Sequence, residues 1–280
     1  MSDPLVSTAW LAERLGAADL QVIDATWFMP GDPRTGREGF GAAHIPGAVF
    51  FDIDAIADPA TDLPHMLPPP RAFAAAAGAL GLRRDATVVV YDGQGVFSAP
   101  RVWWTLRTMG FAKVRVLDGG LPKWRAEGRA VESACVAPAP TVLHAVFEPA
   151  LVADLTSVRD LLDRRAAQVI DARPGPRFRA EVPEPRAGLR GGHMPGARNV
   201  PFGGLIATDG TMKSADELRA AFDAGGVDLS APIVTTCGSG ISAAVLALAL
   251  ARLGREDVAV YDGSWIEWGG RADTPVATGA

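Results

Sequence analysis

The chain has 280 residues, 48% of them hydrophobic and 21% charged, with a formal net charge of -5. That length supports one large or two ordinary domains, each with a packed core, and that balance excludes a disordered chain. An acidic total offers no field for a phosphate backbone, so nucleic acid is excluded as the main partner, and no apolar run approaches the ~20 residues of a membrane-spanning helix.

Taken in chain order, helices are predicted over 8–15, 71–80, 100–109, 157–165, 215–224 and 241–253, alternating with short Val/Ile-rich runs. The runs lie around Ile23, Val89, Val116, Ile170, Val234 and Val260, and such alternation is the mark of a mainly parallel sheet flanked by helices. Ser214 with Glu217 three residues on predicts a capping box for the fifth helix. The stretch 133–149, with Pro138, Pro140 and Pro149, has the proline spacing of a linker. The N-terminus lacks a basic region followed by an apolar core, and the only two cysteines, Cys135 and Cys237, form neither a disulfide framework nor a zinc motif. A cytoplasmic, reducing location is the expectation.

The chain is written twice. Asp24, His44, Asp92 and Asp118 recur as Asp171, His193, Cys237 and Asp262, at offsets of 147, 149, 145 and 144 residues, each in a similar local context. The expected organisation is a first domain over 1–135, a linker over 136–149 and a second domain over 150–280. Because the first copy has Asp92 where the second has Cys237, thiol chemistry is expected only in the second. His44 and His193, present in both copies, read as structural parts of a His-x-Pro-Gly turn, and Trp103, Trp104, Trp265 and Trp268 as core. Cys135, beside the linker, is expected to pack or to be incidental.

Cys237 follows the run from Ile233 and opens the loop Cys237-Gly238-Ser239-Gly240-Ile241-Ser242, directly before an Ala/Leu/Val helix. A thiol between strand end and helix start points into unpaired backbone N–H groups, which favour a thiolate. The flanking glycines allow close backbone approach and positive φ around the sulfur.

These landmarks, with Ala99 to Trp104 and Tyr261 to Trp268, resemble the tandem rhodanese-like sulfurtransferases, and within them the 3-mercaptopyruvate sulfurtransferases, over essentially the whole chain. Family members carry Cys-Gly-Ser-Gly-Val-Thr, from which this loop departs conservatively at Ile241 and Ser242. The resemblance implies an α/β chain of two rhodanese-like domains, an inactive first and a catalytic second. It implies that Arg177 and Arg186 bind the donor, Arg179 not being one of the pair. It also implies a relay of Ser239, His65 and Asp54, the last two supplied by the first domain. The loop carries no Lys or Arg, unlike that of thiosulfate-preferring rhodaneses, which favours 3-mercaptopyruvate as donor.

The reaction so implied passes sulfur through a Cys237 persulfide, cradled by the N–H groups of residues 238–242, to thioredoxin, a low-molecular-weight thiol or cyanide. No metal or organic cofactor is required. Two alternatives stand beside it: a thiosulfate:cyanide sulfurtransferase, and a non-catalytic persulfide carrier. A cysteine phosphatase is set aside, since it needs an arginine six positions after the cysteine and position 243 is Ala.

Overall fold

A computed structural model describes residues 3–133 and 138–279, so Cys135 lies outside the described residues. The chain forms two compact units. The first comprises residues 1–60, 67–148 and 207–212, and the second 61–66, 149–206 and 213–280.

In the first unit the strands are β1 (Leu5–Val6), β2 (Leu20–Asp24), β3 (Ala48–Phe50), β4 (Thr87–Tyr91) and β5 (Val114–Leu117). All pairings are parallel, in the order β1-β5-β4-β2-β3. The second unit repeats this with β6 (Val152–Ala153), β7 (Gln168–Asp171), β8 (Arg198–Asn199), β9 (Ile233–Thr236) and β10 (Ala259–Tyr261), again all parallel, in the order β6-β10-β9-β7-β8. Central strands β4 and β9 are covered on both faces, which is why they read as unbroken apolar or β-branched runs rather than alternating ones.

Register carries the repeat down to single residues: Asp24 pairs with Tyr91 at the carboxyl ends of β2 and β4, and Asp171 with Thr236 at those of β7 and β9. The next residue along each central strand is Asp92 in one unit and Cys237 in the other. In open parallel sheets the carboxyl ends of the strands beside the point where strand order reverses are where ligands bind.

The helix following each of these positions differs in character. Helix Ala99–Thr108 buries Trp103 and Trp104, whereas helix Ala243–Arg252 is buried from Ala243 to Ala251. The predicted capping box at the head of helix Ala215–Ala224 is present, with Glu217 N–H donating to Ser214 Oγ and Ser214 N–H to Glu217 Oε2. Four short helices escape the apolar periodicity, Gly36–Ala42, Gly120–Ala126, Gly175–Phe178 and Ser264–Trp268, being too brief to show two turns of pattern.

The described part of the proline-spaced stretch, from residue 138 on, packs on the first unit. Thr141 N–H donates to Gly78 O at 2.9 Å, Thr141 Oγ1 to Leu82 O at 2.6 Å, and Glu148 N–H to Thr108 O at 2.8 Å. Residues 138–148 thus strap the first unit, and the change of unit falls at Glu148 and Pro149.

Both His-x-Pro-Gly turns are built alike. His44 stacks on Phe40 and His193 on Phe178, with ring centroids 3.9 and 3.7 Å apart, and each Nδ1 bonds the carbonyl of that same phenylalanine. Their shared geometry is that of a buried fastening.

Candidate active site

Cys237 leaves β9 with its side chain almost fully buried, at 2% exposure. Gly240 N–H donates to Cys237 Sγ at 3.1 Å, and the turn that aims it there needs φ of +85° at Gly240, a conformation glycine adopts without steric cost. A backbone N–H pointed at the sulfur is complementary to negative charge on it, as the loop pattern led one to expect.

The loop is pinned from the β10 side. Cys237 O accepts from Trp265 N–H and Gly238 O from Ile266 N–H, both at 2.9 Å. Cys237 N–H donates to Ser264 Oγ at 3.2 Å, and Ser264 Oγ in turn donates to Tyr261 O at 2.9 Å. Ser264 Oγ also lies 4.0 Å from Cys237 Sγ. Ser264 is fully buried and holds φ of +49°, unusual for a residue with a side chain.

The first unit shows what the thiol replaced. Asp92 Oδ2 accepts from the N–H groups of Phe97, Ser98 and Ala99 at 2.8 to 2.9 Å, and Oδ1 from Gln94 N–H at 2.8 Å. Asp92 O accepts from Leu121 N–H, as Cys237 O does from Trp265. At the position of Ser264 the first unit has Gly120, also left-handed with φ of +54°. The carboxylate fills its own anion cradle and has no free valence for sulfur.

Ser264 was not among the residues read from the sequence. The repeat carries the signal: Asp118-Gly119-Gly120 aligns with Asp262-Gly263-Ser264, so a serine stands in the thiol-bearing copy where a left-handed turn prefers glycine.

Of the expected site residues, Cys237, Gly238, Ser239, Gly240, Ile241 and Ser242 lie on the one loop, with Ile241 buried and Ser239 half-buried. Arg177, on helix Gly175–Phe178, comes to this loop: its Nη2 is 3.4 Å from where a Cβ on Gly238 would stand. Arg179 instead pairs with Glu181 at the surface. Arg186 is half-buried and lines an open cavity with Ala180, Glu184 and Leu189. His65, buried and left-handed with φ of +63°, belongs by its contacts to the second unit, with Cys237, rather than to the first as expected. Asp54 belongs to the first unit, where Trp27 Nε1 donates to its Oδ2 at 2.9 Å.

The rhodanese-like domain family matches residues 7–127 and again 154–271. The chain belongs to the rhodanese-like family. A 3-mercaptopyruvate sulfurtransferase of Escherichia coli K12 is 47% identical over 272 residues, covering 97% of this chain and 96% of that protein. A mitochondrial thiosulfate/3-mercaptopyruvate sulfurtransferase of Arabidopsis thaliana is 44% identical, covering 98% of this chain and 78% of the relative. The crystal structure of Escherichia coli SseA, a 3-mercaptopyruvate sulfotransferase with the rhodanese fold, superimposes with a TM-score of 0.87 at 44% identity, over 94% of this chain and 99% of that one. Both rhodanese-like units therefore carry the family fold, and of the two aligned strand-end positions Asp92 and Cys237 the second alone is a cysteine.

Proposed function

We propose that this rhodanese-like chain is a sulfurtransferase that takes sulfur from 3-mercaptopyruvate onto Cys237 and hands it to a thiol or cyanide. The observation that carries the reading is Cys237 Sγ, buried at the strand end with Gly240 N–H aimed at it, beside a guanidinium at Gly238. The full-length likeness to proteins of that activity supports the donor.

Cys237 thiolate attacks the donor sulfur. The carbon–sulfur bond breaks, its electron pair passes to the pyruvate enolate, and a proton at carbon completes pyruvate. Arg177 and Arg186 hold the carboxylate and keto oxygen, since guanidinium offers paired N–H groups to such oxygens and stabilises the enolate as its charge grows. Ser239 and His65, both in the unit that holds Cys237, take up the thiol proton of the donor. Gly240 N–H and the other loop N–H groups stabilise the persulfide. In the second half-reaction an acceptor thiolate, of thioredoxin or of a low-molecular-weight thiol, or cyanide attacks the outer sulfur, and the sulfur–sulfur pair returns to Cys237.

No helix among the described residues is long and apolar enough to cross a membrane. The reducing compartment that a reactive free thiol needs places the reaction in the cytoplasm. Intact-protein mass spectrometry tests the central step. Treatment with 3-mercaptopyruvate and no acceptor should add the mass of one sulfur atom and release one pyruvate per chain, and Cys237→Ser should do neither. An adduct that persists in Cys237→Ser, or a chain that loads from thiosulfate far faster than from 3-mercaptopyruvate, would overturn the reading.

A further inference from the structure

The guanidinium beside the loop is already occupied on one side. Arg177 Nε donates to Glu184 Oε1 at 3.3 Å, and its Nη2 pairs with Glu184 Oε2. Arg173 Nη1 donates to the same Oε1 at 2.8 Å. The side chains of Glu184 and Arg173 are each 1% exposed, so water screens them little.

Arg173 is fixed in turn. Its Nε and Nη2 grip Asp171 at 2.7 to 3.1 Å, Nη2 also donates to Gly192 O at 2.7 Å, and the guanidinium lies 4.3 Å from the Trp265 ring centre. Asp171 ends strand β7, and Trp265 N–H is bonded to Cys237 O. The chain of contacts runs from the sheet through Arg173 and Glu184 to Arg177, with each link buried or half-buried.

The charges have a direct consequence. Asp171 balances Arg173, which leaves the Glu184 carboxylate to balance Arg177. A buried carboxylate at contact distance cancels one of the two positive charges that a pair of arginines would present to an incoming anion, and the attraction lost is twice as large for a dianion as for a monoanion. It also engages Nε and one face of Nη2, so that Nη1 is the edge left for a donor oxygen.

We infer that Glu184 is a positioning residue that orients Arg177 and, by cancelling its charge, shifts the donor preference toward a singly charged oxo acid and away from a doubly charged oxyanion such as thiosulfate. The inference rests on the reading of Arg177 as a ligand of the donor carboxylate. In the first unit the residue aligned with Arg173 is Thr26, so the buried ion cluster is a property of the copy that holds the thiol.

Donor kinetics of Glu184→Gln, Glu184→Asp, Arg177→Ala and the double variant Glu184→Gln/Arg177→Ala test this, with 3-mercaptopyruvate and thiosulfate compared at fixed cyanide. Glu184→Gln frees the charge of Arg177 and loosens its aim. It should raise KM for 3-mercaptopyruvate about tenfold while leaving thiosulfate turnover equal or higher, so that the ratio of kcat/KM for the two donors falls by about tenfold or more. Glu184→Asp keeps the buried negative charge and the fold, and should retain the wild-type ratio while raising both KM values modestly. The double variant should match Arg177→Ala, because Glu184 acts through Arg177. Equal losses for both donors in Glu184→Gln, as a merely structural residue would give, would overturn the inference. If Arg177→Ala leaves KM for 3-mercaptopyruvate unchanged, the donor-binding reading of Arg177 fails instead, a result separable from the first.

Discussion

Ser264 Oγ accepts the backbone N–H of Cys237 at 3.2 Å while standing 4.0 Å from its sulfur. One hydroxyl thus fixes the peptide that carries the thiol and lies within reach of the thiol itself. In the resting geometry its proton goes to Tyr261 O. Rotation of that proton toward Sγ would answer negative charge on the sulfur, at no change in the heavy atoms.

Ser264→Ala should therefore act twice. It leaves the buried Cys237 N–H without its acceptor, at a cost of about 1–3 kcal/mol in stability. It should also slow sulfur uptake by about tenfold, the Gly240 N–H being retained. Ser264→Gly should give the same kinetic loss with a smaller loss of stability, because glycine relieves the left-handed strain at φ of +49°. Urea unfolding and single-turnover pyruvate release measure the two effects, and equal stabilities for the two variants would remove the strain argument.

Asp92 is expected to be structural in the strict sense. Four backbone N–H groups converge on its carboxylate, three of them on Oδ2. Asp92→Ala should cost about 3 kcal/mol or more, since buried donors lose their acceptor together. Asp92→Asn, which keeps one oxygen, should cost less. Denaturant midpoints read both, and an Asp92→Ala protein as stable as the parent would show that water replaces the carboxylate without loss.

Asp24 gives a pH dependence of known sign. Burial pushes its carboxyl above the ordinary value of 3.8, hydrogen bonds from Thr26 only partly offsetting this, and the nearby Asp92 charge adds to it. The folded chain then holds the proton more tightly than the unfolded one. Its contribution is full below 3.8 and is lost as pH rises through the raised folded value. Asp24→Asn should therefore stabilise the protein at about pH 8 relative to its effect at about pH 4, and unfolding midpoints at the two values check it.

Arg173 is the buried keystone of the ion cluster in the second unit. Arg173→Met leaves Asp171 and Glu184 buried with a cation missing and should cost about 3–5 kcal/mol. Thr26 in the aligned place of the first unit shows that the fold itself does not need the guanidinium. A calorimetric scan in which Arg173→Met melts like the parent would contradict this.

The cysteine loop was legible because it is local. Cys237, its glycines and the helix that follows are consecutive, and strand-to-helix turns make anion cradles wherever they occur. The repeat added the contrast with Asp92. Ser264 was legible in principle, as a serine aligned with Gly120, but only its φ and its distance to Cys237 give that difference a meaning. Glu184 was not legible at all. In sequence it is one charge in the run Glu181-Val182-Pro183-Glu184-Pro185-Arg186, a segment that reads as solvated surface, yet its side chain is buried between two guanidinium groups.

The sequence by itself determined the duplicated α/β architecture, since hydrophobic period and turn residues act over a few positions and the same landmarks recur in order twice. It also determined which copy has a thiol at the end of its central strand, because Asp92 stands in the first where Cys237 stands in the second. Only the tertiary structure decided that residues 138–148 strap the first unit, that His65 belongs by contact to the second, and that Glu184 rather than solvent faces Arg177. The reason is physical. Burial and charge pairing depend on segments far apart in the chain meeting in three dimensions, and a charged residue's role is fixed by what it meets there.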